Sequence, residues 1–212
     1  MRCFCQVSNA SRYSCVVGPS AIGHKYSVVE GLKRYASTHL DEAGIQSMVI
    51  GGLAIAVWGK VRFTKDADLK VALSRVEASR LIASLPAEYQ FLSEQPEQTL
   101  KQLGFVFLKD ASGVRIDLLL AEMGFDQHAM TRKHLVEVQP GLKIFVCSPE
   151  DLIIYKLIST RVRDHEDVRG IIQHQHQTLD DQYIEDWLLQ FEQALDDSTL
   201  INHYRQLRQR YS

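Results

Sequence analysis

The spacing of hydrophobic residues changes along the chain and predicts strands and helices in its first two thirds. Residues 26–40 carry apolar side chains at helical spacing, which predicts a first amphipathic helix. Residues 47–50 form a short apolar run that ends at Gly51 and Gly52, and residues 53–58 form a second one. This order predicts a strand, a glycine turn and a helix.

The middle of the chain is predicted to contain a strand, a helix, and two strands joined by a hairpin loop. In order, these elements cover residues 66–71, 74–85, 104–108 and 114–120, with the loop at residues 109–113. Polar and apolar residues alternate in the first strand, so Asp66 and Asp68 lie on the same face. The same alternation in the last strand separates Asp117 from the apolar face.

The pattern becomes wholly helical after Ser148. Ser148 is a favourable N-cap, Pro149 suits the first helical position, and a helix from Pro149 to about Arg163 is predicted. Further helices are predicted over residues 166–174, 182–194 and 198–210. The patterns together suggest a flexible leader over residues 1–25, a core domain over 26–147 and a C-terminal helical region over 148–212.

Three of the four cysteines lie near the start of the chain. Cys3, Cys5 and Cys15 are compatible with a disulfide or a metal site, but the segment is Ser-rich and lacks a partner pair at zinc-finger spacing. The sequence favours a flexible leader there. Cys147 follows an apolar run and is predicted to lie in the core.

Charge and composition narrow the class of protein. Lys and Arg number 24 against 26 Asp and Glu, so any contact with RNA or DNA has to be local. No stretch approaches the roughly 20 apolar residues of a membrane span, and no secretory signal is recognisable. We therefore expect a cytoplasmic protein without a membrane partner.

The three aspartates suggest a magnesium site. Carboxylates on one strand face repel each other unless a cation lies between them, and oxygen ligands suit Mg²⁺. Asp66 and Asp68 are predicted to hold one ion and Asp117 to complete a second site and help deprotonate an acceptor hydroxyl. Gly51 and Gly52 would let backbone N–H groups approach phosphate. The alternatives are a solvated strand face and a simple tight turn.

These residues resemble the nucleotidyltransferase superfamily related to DNA polymerase β. The matching motifs are Ile50-Gly51-Gly52, Asp66-Ala67-Asp68-Leu69 and Ile116-Asp117-Leu118. The resemblance implies an α+β nucleotidyltransferase fold, in which a mixed β-sheet is flanked by helices. It also implies an NTP substrate and Mg²⁺, with nucleotide transfer to the tRNA 3′ end or to a protein hydroxyl.

Within that superfamily, residues 46–170 look like the small bacterial toxins of AbiE-type toxin–antitoxin systems. This resemblance implies that Arg62, Thr64, Lys156 and Asp167 bind the nucleotide, with Lys156 also catalytic. Another interpretation remains for each of them. Arg62 and Thr64 simply lead into the strand, and Lys156 extends to solvent at a helix edge. Asp167, like Asp164, is an ordinary helix charge paired with Arg161 or Arg163, and this interpretation is favoured for Asp164.

The leading functional hypothesis is the toxin of a toxin–antitoxin module, restrained by a cognate partner. The alternatives are an antitoxin that adenylylates a toxin, an aminoglycoside-type small-molecule nucleotidyltransferase, and a non-catalytic nucleotide-binding module. The last would be expected to lack a carboxylate, and all three are present. His174 and His176 do not share a helix face and are interpreted as a polar helix end.

Overall fold

The computed structural model describes residues 13–14, 39–61, 64–122, 124–159 and 161–211. The predicted helix over residues 26–40 and the predicted leader lie largely outside these ranges, and Arg62 and the three early cysteines lie wholly outside them. The chain divides into two compact units. The first comprises Met1–Leu53 and Phe63–Val146, and the second comprises Ala54–Arg62 and Cys147–Ser212.

An eight-stranded mixed sheet forms the first unit. Its strands are β1 (Tyr13–Ser14), β2 (Ser47–Val49), β3 (Asp66–Val71), β4 (Gln90–Phe91), β5 (Phe105–Lys109), β6 (Arg115–Leu120), β7 (His134–Gln139) and β8 (Leu142–Val146), in the spatial order β1-β7-β8-β2-β3-β6-β5-β4. The pairs β1–β7, β2–β8 and β3–β6 are parallel, and the others are antiparallel. The predicted α+β class with a mixed sheet is confirmed.

Helices connect the strands. They are α1 (Gly51–Trp58), α2 (Ala78–Ala83), α3 (Pro96–Leu103) and α4 (Gly124–Arg132), and a 3-10 turn, Arg75–Glu77, precedes α2. The helix predicted over residues 74–85 is therefore shorter and starts as a 3-10 turn. The sequence patterns did not predict α3, α4 or the β7–β8 hairpin. The two helices are mostly polar, and the two strands are only 6 and 5 residues long.

Strand alternation places the apolar core on one face of the central sheet. Ala67, Leu69 and Val71 of β3 are 0% exposed, and Ile116 and Leu118 of β6 are equally buried. The intervening residues of β3 project to the opposite face, as the sequence predicts. The period of two in the sequence thus decides which side chains are available for chemistry.

The second unit contains four helices after residue 147. They are α5 (Pro149–Leu157), α6 (Val162–Gln175), α7 (Asp181–Leu195) and α8 (Leu200–Tyr211). The predicted N-cap is confirmed, because the Ser148 hydroxyl accepts a hydrogen bond from the Asp151 amide at 3.1 Å. The Trp58 indole donates to the Cys147 carbonyl at 2.7 Å, and Cys147 is buried as predicted.

The prediction of one helix from Pro149 to about Arg163 was wrong. Helix α5 ends at Leu157, and α6 begins at Val162 with Arg161 as its N-cap residue. This break allows α6 to fold against α5, where the apolar side chains of both helices are buried. Among the described residues, no helix has the length and apolar character that a membrane crossing requires.

Candidate active site

The β3–β6 register brings the three predicted carboxylates to one face of the sheet. The strands are parallel neighbours, with Asp68 opposite Asp117 and Asp66 opposite Arg115. Directly opposed residues project to the same side, so these four side chains share a surface. The sequence predicted the face of each carboxylate, and the structure adds that their strands are adjacent.

Gly51 lies against the carboxylate of Asp68. Its φ angle is +60°, and a Cβ built at Gly51 would lie 2.0 Å from Oδ2 of Asp68, far inside van der Waals contact. The Asp68 carbonyl also accepts a hydrogen bond from the Ile50 amide at 3.0 Å. Gly52 follows as a buried residue in the first turn of α1. The turn is therefore shaped around Asp68, and only glycine fits at position 51.

Thr64 orients Asp66. The Thr64 hydroxyl lies 2.8 Å from Oδ1 of Asp66 and 3.1 Å from its carbonyl oxygen, and Thr64 is 5% exposed. A buried hydroxyl donating to a carboxylate oxygen fixes the rotamer of the carboxylate. This contact places Thr64 beside the carboxylate in the candidate site.

Arg115 holds Asp117 in a bidentate ion pair. Nε and Nη2 of Arg115 donate to the two carboxylate oxygens at 2.6 and 2.9 Å. Burial raises the pKa of Asp117, the hydrogen bonds from Arg115 oppose this effect, and the charge of Asp66 adds to the rise. The pKa of Arg115 is raised by its hydrogen bonds to Asp117 and also by the charges of Asp66 and Asp68. All three carboxylates therefore stabilise the positive charge of the Arg115 guanidinium.

The donor chemistry of this face fits Mg²⁺, although the carboxylates do not converge. Within the described ranges, no group of three Asp, Glu, His or Cys residues is arranged closely enough to hold a metal ion. Three carboxylates on neighbouring strands still provide the hard oxygen ligands and negative potential that magnesium requires.

Lys70 extends the same polar face, and its role was not predicted. It forms a 2.8 Å ion pair with Asp126 of α4, whose side chain is 2% exposed. Lys70 lies two residues after Asp68 on β3, so the alternation in the sequence did indicate that both side chains project to the same face. Its partner is 56 residues away in sequence, and only the folded sheet reveals it.

In the second unit, Lys156 lies in a buried cluster of charges. Its ammonium is 2.6 Å from Asp164 and 3.0 Å from Asp167, and all three side chains are at most 6% exposed. Burial would raise the pKa of Asp164, but hydrogen bonds from Lys156, Ser159 and Arg161 outweigh it and hold that pKa below its usual value. The anions that accompany Lys156 are therefore aspartates of α6.

This cluster corrects two interpretations of the sequence. Lys156 is 5% exposed and does not extend to solvent, and Asp164 is 2% exposed and not an ordinary helix charge. Lys156 and Asp167 lie on different helices, α5 and α6. The prediction for His174 agrees with the structure, since α6 ends at Gln175 and the His174 ring bonds the Gly170 carbonyl.

Comparisons with known proteins agree with this geometry. Residues 27–212 match the family described as "Nucleotidyltransferase of unknown function (DUF6036)". No protein of curated function matches the sequence. The match covers both the carboxylate strands and the C-terminal helices.

Solved structures show the same fold at low sequence identity. The antibiotic-resistance factor ANT(2'')-Ia in solution has a TM-score of 0.56 and 15% identity, over 87% of this chain and all of that one. The same factor in complex with adenylyl-2''-tobramycin has a TM-score of 0.51 and 17% identity, covering 88% and 99% of the two chains. An antigenic nucleotidyltransferase-like protein from Paracoccidioides brasiliensis has a TM-score of 0.51 and 16% identity, covering 84% and 93%.

Proposed function

Because the chain belongs to the family "Nucleotidyltransferase of unknown function (DUF6036)" and is a transferase, we propose that it moves a nucleotide from an NTP to a hydroxyl acceptor in a magnesium-dependent reaction. The observation that carries this proposal is the arrangement around Asp68. This residue lies opposite Asp117 across β3 and β6, with Gly51 packed against its carboxylate. One turn and two strands thereby place Gly51, Asp68 and Asp117 on the same face, which supports the proposal that this face binds a cation and the NTP phosphates.

The carboxylates have two roles in the proposed reaction. Asp66 and Asp68 would hold the magnesium of the NTP, and Asp117 would hold a second ion and accept the proton of the acceptor hydroxyl, whose oxygen attacks the α-phosphate and displaces pyrophosphate. Magnesium bound there would neutralise the charge that develops on the transferring phosphoryl group. Arg115 donates one hydrogen bond to each oxygen of Asp117, and each oxygen keeps a second lone pair with which it could bind an ion.

The proposed acceptor is a macromolecular hydroxyl, either a tRNA 3′ end or a protein side chain, and the proposed role is the toxin of a toxin–antitoxin module. The support is the sequence similarity of residues 46–170 to AbiE-type toxins. A small hydroxyl compound is the second candidate, because the fold matches ANT(2'')-Ia over that protein's full length. Transfer to either class of acceptor would use the same three carboxylates of this chain.

Transfer of label from α-labelled NTPs tests the proposal. In magnesium, wild-type protein should label one acceptor class among total RNA, total protein and small aminoglycosides. Asp66→Asn and Asp68→Asn should each reduce this labelling about 10³-fold, because metal stabilisation is worth several kcal/mol. Glu88→Gln removes an exposed carboxylate elsewhere in the first unit and should keep full activity. Equal activity in all the variants would refute a role for the aspartates.

A change at Thr64 tests how Asp66 is oriented. Thr64→Val keeps the side-chain shape but removes the hydrogen bond to Asp66, which should lower kcat about 10- to 150-fold, since such bonds contribute roughly 1.5–3 kcal/mol. The Mg²⁺ concentration for half-maximal activity should rise as well. Thr64→Ser retains the hydroxyl and should restore both values. Similar defects in the Val and Ser variants would show that the hydrogen bond is not responsible.

A further inference from the structure

The side of Asp117 away from β3 carries an aromatic and basic surface. Strand β5 pairs with β6 so that Phe107 lies opposite Asp117 and Lys109 lies opposite Arg115. Phe105 projects to the same face two residues earlier. We call Phe105, Phe107, Lys109 and Arg115 the β5–β6 strip. It adjoins the carboxylates on the side opposite to Gly51, as the strand order shows.

The planar groups of the strip are packed into a short column. The rings of Phe105 and Phe107 are stacked with centroids 5.0 Å apart, and the guanidinium carbon of Arg115 lies 4.2 Å from the centre of the Phe107 ring. The Arg115 side chain is 41% exposed, and its Nε and Nη2 atoms are bound to the Asp117 carboxylate. The result is a fixed and accessible guanidinium plane, a group on which nucleobases stack as they do on aromatic rings.

The strip also carries positive charge. Lys109 is exposed and lies directly opposite Arg115. The neighbouring carboxylate of Asp110 is already engaged in its own turn, where it accepts hydrogen bonds from the amides of Ser112 and Val114 at 2.9 Å. Arg115 is paired with Asp117, so Lys109 supplies the positive charge that an anionic group can meet at the outer edge of the strip.

The proposed reaction indicates from which side the acceptor reaches the site. If Asp117 accepts the proton of the attacking hydroxyl, the acceptor has to approach from the Asp117 side of the face. The Gly51 side is then left for the NTP phosphates. The surface that an acceptor meets beside Asp117 is the β5–β6 strip.

We propose that the β5–β6 strip binds the single-stranded 3′ end of an RNA acceptor. Lys109 and Arg115 contact the last phosphodiester, and a terminal base stacks against the planar column. Basic and aromatic side chains together on a sheet are a common way to bind single-stranded nucleic acid. This inference rests on the proposed function and narrows its acceptor to RNA.

Binding of a fluorescent, short single-stranded RNA to the full chain tests the strip without requiring turnover. Lys109→Glu should weaken binding at least tenfold and reduce the dependence of log Kd on log salt by about one phosphate contact. Lys143→Glu makes the same charge change at an exposed position on β8 and should alter Kd less than twofold. Equal effects of the two variants, or no RNA binding by the wild type, would overturn the proposal.

A second pair of variants tests stacking. Phe107→Leu removes the ring that supports the Arg115 guanidinium and should weaken RNA binding about fivefold or more, whereas Phe107→Tyr keeps that ring and should bind like the wild type. Thermal melting verifies that both variants are folded. Equal Kd values for the Leu and Tyr variants would contradict stacking on the column.

Asp66→Asn separates this inference from the proposed function. It should bind the RNA normally while losing label transfer, because the strip does not include Asp66. Transfer to protein or to an aminoglycoside, without RNA binding, would refute the strip and leave the transferase proposal intact. RNA binding through the strip without any transfer would refute the transferase proposal alone.

Discussion

Gly51→Ala is expected to lower the rate of nucleotidyl transfer by about 10²-fold or more. The added Cβ would lie 2.0 Å from Oδ2 of Asp68, so the carboxylate or the turn has to move. A displacement of about 1 Å in a group that positions substrate is sufficient for a loss of this size. Measurement of kcat/KM for the NTP, together with the free energy of unfolding, separates lost activity from lost stability.

Gly113→Ala is the matched control for this substitution. Gly113 also has a positive φ, +82°, but a Cβ there would meet no atom within 4 Å. Both variants suffer the strain of a left-handed alanine, roughly 1–2 kcal/mol, and only Gly51→Ala disturbs Asp68. Gly113→Ala should therefore lose stability and keep its activity. If Gly113→Ala lost as much activity as Gly51→Ala, the contact with Asp68 would not explain the defect.

Lys156→Met is expected to lower the free energy of unfolding by about 3–5 kcal/mol. The substitution keeps most of the apolar stem but leaves Asp164 and Asp167, at 3% and 5% side-chain exposure, without the ammonium between them. Removing the ammonium from two buried carboxylates is much more costly than losing a surface pair. Chemical denaturation of the purified variant measures the effect.

Arg161→Ala provides the comparison for Lys156. Arg161 pairs with Asp164 at 2.9 Å, but its own side chain is 76% exposed, so its removal should cost less than about 1 kcal/mol. A phosphate-binding role for Lys156 predicts the opposite pattern for Lys156→Met, with near-normal stability and a raised KM for the NTP. Unfolding and steady-state kinetics on the same preparations decide between the two roles.

The local elements with strong sequence signals were predicted well. The alternation in β3 and β6 identified both the strands and the faces of Asp66, Asp68 and Asp117, because side-chain direction in a strand has a period of two. The start of α5 followed from the Ser148 cap and Pro149. Helices α3 and α4 were missed because polar residues dominate them and their stability depends on tertiary packing.

The candidate site was predictable as a set of residues but not as an arrangement. Nothing in the local sequence indicates that Thr64 bonds Asp66 or that Arg115 binds both oxygens of Asp117. The family resemblance implied that Lys156 binds the nucleotide, and the structure shows its ammonium between two carboxylates of the chain, Asp164 and Asp167. Both lie on α6, whose start at Val162 the sequence pattern did not identify.

The sequence by itself determined the glycine turn, the faces of the carboxylates and the start of the C-terminal helices. These depend on φ preference, strand alternation and capping, which act within a few residues. Only the tertiary structure decided that Gly51 contacts Asp68, that Asp117 is bound to Arg115, and that β5 adds an aromatic and basic surface beside it. Such contacts depend on strand order and register, which are set by burial of apolar surface over the whole sheet.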